Sequence, residues 1–124
     1  MKNLPINILI TLVLCFQFGC SGGKEINRFS FEMEGILVGQ LDKIKTVYRT
    51  EKNELLIPLS ERNDEGLVAF IGEENSVELS LLLGETLIEE YTLHRSRSYG
   101  SLRIPFEPRF EKILDESGIK LKKY

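Results

Sequence analysis

His94 is the one histidine in the chain, and it stands immediately before Arg95, Ser96, Arg97 and Ser98. As a general base it would need a nucleophile and an orienting acid, and the sequence marks no such constellation. As a zinc ligand it would need several His or Cys companions. No cysteine follows Cys20, so a catalytic zinc would rest mostly on carboxylates. His94 reads instead as a histidine near the exposed end of a strand. Arg95, Arg97 and Arg103, with Tyr99 among them, are more suggestive, because guanidinium groups pair in a bidentate way with carboxylates and phosphates. Around one turn of an acidic domain they form a weak candidate site for an anion or an acidic surface. The competing reading is a solvated hairpin end whose arginines meet nearby glutamates, and exposed pairs of that kind contribute little. Asn63-Asp64-Glu65 has the composition of a calcium loop without its alternating ligand spacing or its glycine, and reads as solvated loop. G-x-S-x-G, H-E-x-x-H, a P-loop and G-x-G-x-x-G are absent. The expectation is a protein with no catalytic residue, no metal site and no cofactor, hence not an enzyme.

The elements that must hold these residues read as short strands. Phe29, Phe31 and Met33 alternate with polar residues, the period of a strand with one buried face. Gly35 and Gly39 bracket Ile36-Leu37-Val38, which suggests a bulge or a second short strand. Residues 43–49 and 54–59 flank the polar turn 50–53 as a hairpin, with Pro58 limiting the second strand to an edge or an end. Residues 61–66 read as a charged loop, 66–72 as a buried strand and 72–76 as a turn.

Residues 77–83 and 87–93 give the clearest hairpin. A two-residue loop, Gly84-Glu85, would pair Leu79 with Glu90. A three-residue loop, 84–86, pairs Val77 with Leu93 and Leu79 with Tyr91 and sets Leu81 opposite Glu89, and is preferred because it matches bulk with bulk. Residues 102–106 return as a strand after a turn near Gly100. Residues 108–116 form the one helical segment, with Pro108 at its start, Phe110, Ile113 and Leu114 on one face and Gly118 placed to end it. Residues 119–124 can close the fold as a strand, with Lys120, Lys122 and Lys123 guarding its edge against unwanted pairing. Seven to nine short strands with one C-terminal helix indicate a mainly β protein, an antiparallel sandwich or small barrel.

Hydrophobic residues are 42% and charged residues 28% of the 124, values typical of a folded domain. The net charge of −3, without a basic cluster large enough to displace counterions, argues against nucleic acid as a partner.

Residues 1–20, MKNLPINILITLVLCFQFGC, place one lysine before an apolar run, the layout of a secretory signal peptide. Residues 4–19 would cover only about 24 Å as a helix, short of the roughly 30 Å hydrocarbon core. A spanning anchor is therefore the weaker reading. Gly19-Cys20-Ser21-Gly22-Gly23 resembles the processing site of bacterial lipoproteins, in which a small residue precedes a cysteine that becomes the acylated first residue. Gln17 and Phe18 depart from the residues usual before it, and an ordinary signal peptide cut after Gly22 or Gly23 is the alternative. The resemblance covers only the leader and its junction, and implies a signal peptide over 1–19, an acylated Cys20 with a flexible tether over 20–25, export and lipid anchoring to a bacterial membrane. Residues 26–124 read as a single β-rich domain, and the anchor, the short tether and the β pattern together point to an envelope protein as partner. The expected function is a non-enzymatic interaction or structural module; the alternative is a small-ligand or anion carrier or sensor using the Arg95, Arg97 and Arg103 tip.

Overall fold

The computed structural model describes residues 27–124. The expected leader, Cys20 and the whole of the expected tether lie outside the described residues. The alternating apolar residues of the first segment turn inward as their period requires: Phe29 and Phe31 are buried and Met33 partly buried against the core from β1 (Phe29–Met33). β1 pairs with β2 (Ile36–Gln40) through a turn in which Glu34 and Gly35 both have positive φ, 52° and 82°. That is the backbone of a type I′ turn, whose twist matches the strands it joins.

The next hairpin joins β3 (Thr46–Arg49) to β4 (Glu54–Pro58). Then comes a departure from the sequence reading. The segment expected as loop and buried strand is one helix, α1 (Glu61–Ile71). Ser60 caps it by accepting the Asn63 N–H at 3.1 Å, which satisfies one of the first-turn donors that a helix leaves open. The helix hides from pattern reading because Asn63 and Gly66 share its buried stripe with Leu67 and Ile71.

β5 (Ser76–Leu83) and β6 (Thr86–His94) form the long hairpin. Val77 pairs with Leu93, Leu79 with Tyr91 and Leu81 with Glu89. The register is the one expected from a three-residue loop, but it is reached differently. Leu83 pairs with Thr86 across a two-residue Gly84-Glu85 turn, and a bulge opposite Leu81 and Leu82 inserts Ile88 as the extra residue. The bulge restores the inward parity that the shorter turn would have lost, and Ile88 is buried. β2 uses the same device, with Val38 as the extra residue in a bulge beside Phe31 and Glu32.

β7 (Ser101–Pro105), α2 (Arg109–Glu116) and β8 (Lys120–Lys123) complete the chain. The expected C-terminal helix is α2. It ends in a Schellman motif, in which Ile119 N–H reaches Leu114 O and Gly118 N–H reaches Asp115 O, with Gly118 at φ 75°. Leu114 and Ile119, the apolar pair that accompanies this motif, are both buried.

The protein is mainly β: two four-stranded sheets, β2-β1-β5-β6 and β7-β4-β3-β8, with no closed barrel. The first sheet is antiparallel throughout; the second is mixed, since β8 runs parallel to β3. β7 also runs parallel to β3, both being antiparallel to β4. β7, α2 and β8 therefore form a βαβ crossover. The wholly antiparallel expectation fails here because a helix between two strands lets the chain return in the same direction. The core lies between the sheets and gathers Phe29, Phe31, Leu81 and Leu93 from the first, Val47, Leu55, Ile57 and Leu102 from the second, and Leu67, Ile71, Phe110 and Leu114 from the helices.

Candidate functional site

The arginine turn joins β6 to β7 and so crosses from one sheet to the other. Its residues are held by separate partners. Arg95 donates from Nη1 to the Glu73 carbonyl at 3.3 Å. Arg97 is exposed and makes no hydrogen bond or ion pair among the described residues. Arg103 lies on the outer face of β7, its Nη1 3.6 Å from Glu54 Oε1 on β4. Tyr99 Oη donates to the His94 carbonyl at 2.5 Å, so both predicted features of this turn, His94 and Tyr99, serve its internal order.

What fixes the turn is a residue that sequence reading placed in solvated loop. Asp64, in the first turns of α1, accepts from Ser98 Oγ at 2.7 Å and from the Tyr99 N–H at 2.6 Å, with the Gly100 N–H at 3.4 Å. Partial burial pushes its pKa up, yet these donors together outweigh that and leave it below the usual carboxylate range. Two residues earlier the helix start holds the other crossing. Asp42, after β2, accepts from the Arg62 guanidinium and from Ser60 Oγ at 2.7 Å, while the Asp42 N–H donates to Asn63 Oδ1 at 2.6 Å. The Arg62 hydrogen bond lowers the Asp42 pKa against the effect of burial. The start of α1 is thus a polar hub that ties the β2–β3 and β6–β7 connections together. Asn63 and Asp64 act as hydrogen-bonding hubs, and among the described residues no group of His, Cys, Asp and Glu is placed to hold a metal ion.

An open surface hollow lies elsewhere, between the β3–β4 turn and β8. Its volume is about 440 Å³ and it is lined by Arg49, Thr50, Glu51, Asn53, Leu121, Lys122 and Lys123. Arg49 is held in place: its guanidinium stacks on Phe106 at 4.2 Å, and Nε and Nη2 donate to Asn53 Oδ1 at 3.0 and 2.8 Å. The remaining nitrogen, Nη1, is 3.9 Å from Glu111 Oε2 in an exposed and therefore weak pair. Asn53 reaches Arg49 from a left-handed conformation, φ 61°, which asparagine adopts more readily than most residues. Three cations face one carboxylate, Glu51, in this lining. The sequence pattern of Lys122 and Lys123 points only to edge protection. Nothing in the sequence marks Arg49, because its partners Asn53, Phe106 and Glu111 lie on three other elements of the fold.

Comparison with protein-family models, curated proteins and solved structures finds no match to this chain. No helix among the described residues is long and apolar enough to cross a membrane.

Proposed function

We propose that the chain is a lipid-anchored module of a bacterial cell envelope that works by contacting another protein and not by catalysis. Cys20 carries this reading. It closes an apolar leader, follows the small Gly19, and is followed by no other cysteine, so no disulfide partner exists for it after the leader. Two or three acyl chains on one residue anchor stably where one does not, each buried methylene contributing about 0.8 kcal/mol. The five residues 21–25 reach at most roughly 17 Å, which keeps the domain beside its membrane and favours a partner in or on the same bilayer.

The surface supports contact over enclosed binding. The polar clusters at the start of α1 and around Tyr99 are engaged in joining the two sheets, whereas Arg49, Lys122 and Lys123 border an open hollow at a sheet edge. Cell fractionation tests the anchor: Cys20→Ser moves the protein from the membrane to the soluble fraction, and retention of an unprocessed variant on membranes refutes lipidation. Crosslinking in intact cells tests the partner, and recovery of the monomer alone across several crosslinker chemistries refutes the contact role.

A further inference from the structure

We propose that β8 is a docking edge for an acidic, extended peptide segment, which adds to the second sheet as a fifth strand and seats a carboxylate against Arg49. This rests on the protein-contact reading above and names the chemistry of the partner.

The ladder defines which groups are available. Lys120 N–H donates to Lys45 O at 2.9 Å and Tyr124 N–H to Arg49 O at 3.0 Å. In a parallel ladder alternate residues face the neighbouring strand. Lys120, Lys122 and Tyr124 therefore face β3, and the main-chain groups of Leu121 and Lys123 point off the edge of the sheet, since β8 is the last strand. Two N–H and two C=O groups, two residues apart, match the repeat of an added strand.

Charge selects which strand can use them. Lys120, Lys122 and Lys123 are exposed and make no ion pair among the described residues. A second copy of β8 laid on this edge would set lysine against lysine, which is destabilising, so the edge bars its own kind. An acidic strand meets the opposite condition: it gains ladder hydrogen bonds and neutralises the lysines together. Arg49, already oriented by Phe106 and Asn53, lines the hollow beside Lys123, and its Nη1 makes only an exposed contact to Glu111. A carboxylate there displaces only the weak Glu111 contact. A free phosphate would meet the cations but would leave the main-chain groups of Leu121 and Lys123 unused, which favours a peptide.

The test uses the full chain in mild detergent, followed by amide NMR and hydrogen exchange. An alternating Glu-Val peptide of about eight residues is the probe. A Glu-Pro repeat of equal charge, which cannot form a ladder, a Lys-Val repeat, inorganic phosphate and glycerol phosphate are the comparison arms. The Glu-Val peptide is expected to bind saturably and to slow exchange at Leu121 and Lys123. The Lys122→Glu/Lys123→Glu variant should bind about tenfold or more weakly, at least about 1.4 kcal/mol. Lys122→Arg/Lys123→Arg should retain binding, and Lys112→Glu on α2 should leave it unchanged. Equal binding of the Glu-Pro repeat, equal perturbation by either phosphate, or no binding of the Glu-Val peptide overturns the proposal. Crosslinks to an envelope protein that map away from β8 overturn the docking edge and leave the contact role standing. Peptide binding without any crosslinked partner in cells overturns the contact role instead.

Discussion

Replacing Asp64 by alanine tests whether the start of α1 holds the two sheets in register. The side chain accepts two short bonds, from Ser98 Oγ at 2.7 Å and Tyr99 N–H at 2.6 Å, and a long one from Gly100 N–H at 3.4 Å. A hydrogen bond to a charged group contributes about 1.5–3 kcal/mol when well shielded. Asp64 is only partly buried, so water replaces much of what is lost. About 1 kcal/mol for each short bond, and little for the long one, gives about 2 kcal/mol in all. For a domain of this size that lowers Tm by about 10 °C. The pH dependence has a definite sign. The folded-state pKa lies below the ordinary carboxylate value, so the stabilisation is complete above that value and is lost as pH falls through the folded one. Wild-type stability therefore drops on acidification below about pH 4, and Asp64→Ala loses its share of that slope. Thermal melts between pH 2 and 7 with amide exchange at Tyr99 and Gly100 provide the assay. A Tm within about 2 °C of wild type at neutral pH, with both amides still protected, would refute the reasoning.

Three further outcomes follow from the packing and turns. Phe110→Ala removes a ring that is 1% exposed and meets Phe106 edge-on at 5.8 Å; urea unfolding should show a loss of about 3–4 kcal/mol. Glu34→Asn places Asn-Gly in a turn where Glu34 has φ 52° and Gly35 φ 82°. It should raise stability by about 0.5–1 kcal/mol, read as a higher Tm, and a lower Tm contradicts the turn assignment. Arg109→Ala removes three donors, to Glu107 Oε1 at 2.7 Å, Leu87 O at 3.1 Å and Ile88 O at 2.9 Å, and the stacking on Phe110 at 5.0 Å. Stability should fall by about 1 kcal/mol, and light scattering should report increased self-association as the edge of β6 opens.

The strands were legible where one face is buried and the side-chain period is therefore two: Phe29–Phe31–Met33, Leu55–Ile57 and Leu79–Leu81 all point inward as the pattern requires. The Val77–Leu93 register was legible for the same reason, since a one-residue slip would have set Leu79 opposite Glu90. The bulge that achieves it was not, because a two-residue turn plus an inserted Ile88 and a three-residue loop give the same outer pairs. α2 was legible from Pro108 at its start and Gly118 past its end. α1 was not, because its buried stripe spends two positions on Asn63 and Gly66, and the role of Asn63 becomes visible only once Asp42 is brought to it from 21 residues away. The Arg49 hollow was illegible on the same ground, being assembled from the β3–β4 turn and a parallel strand far apart in sequence.

The treatment of the sheet edges sets β8 apart from β6 and β7. β6 is closed at both ends by side chains from other elements. Arg109 covers the carbonyls of Leu87 and Ile88, and Tyr99 covers that of His94. β7 ends in Pro105, which has no N–H to offer a further strand. On β8 no side chain among the described residues covers the outward groups of Leu121 and Lys123, and protection is left to charge alone. Covering by a side chain excludes every added strand, whereas charge excludes only strands of like sign and attracts those of the opposite sign. An edge guarded by lysines is therefore conditionally closed, and the preset Arg49 beside it supplies a second contact that a neutral strand cannot use.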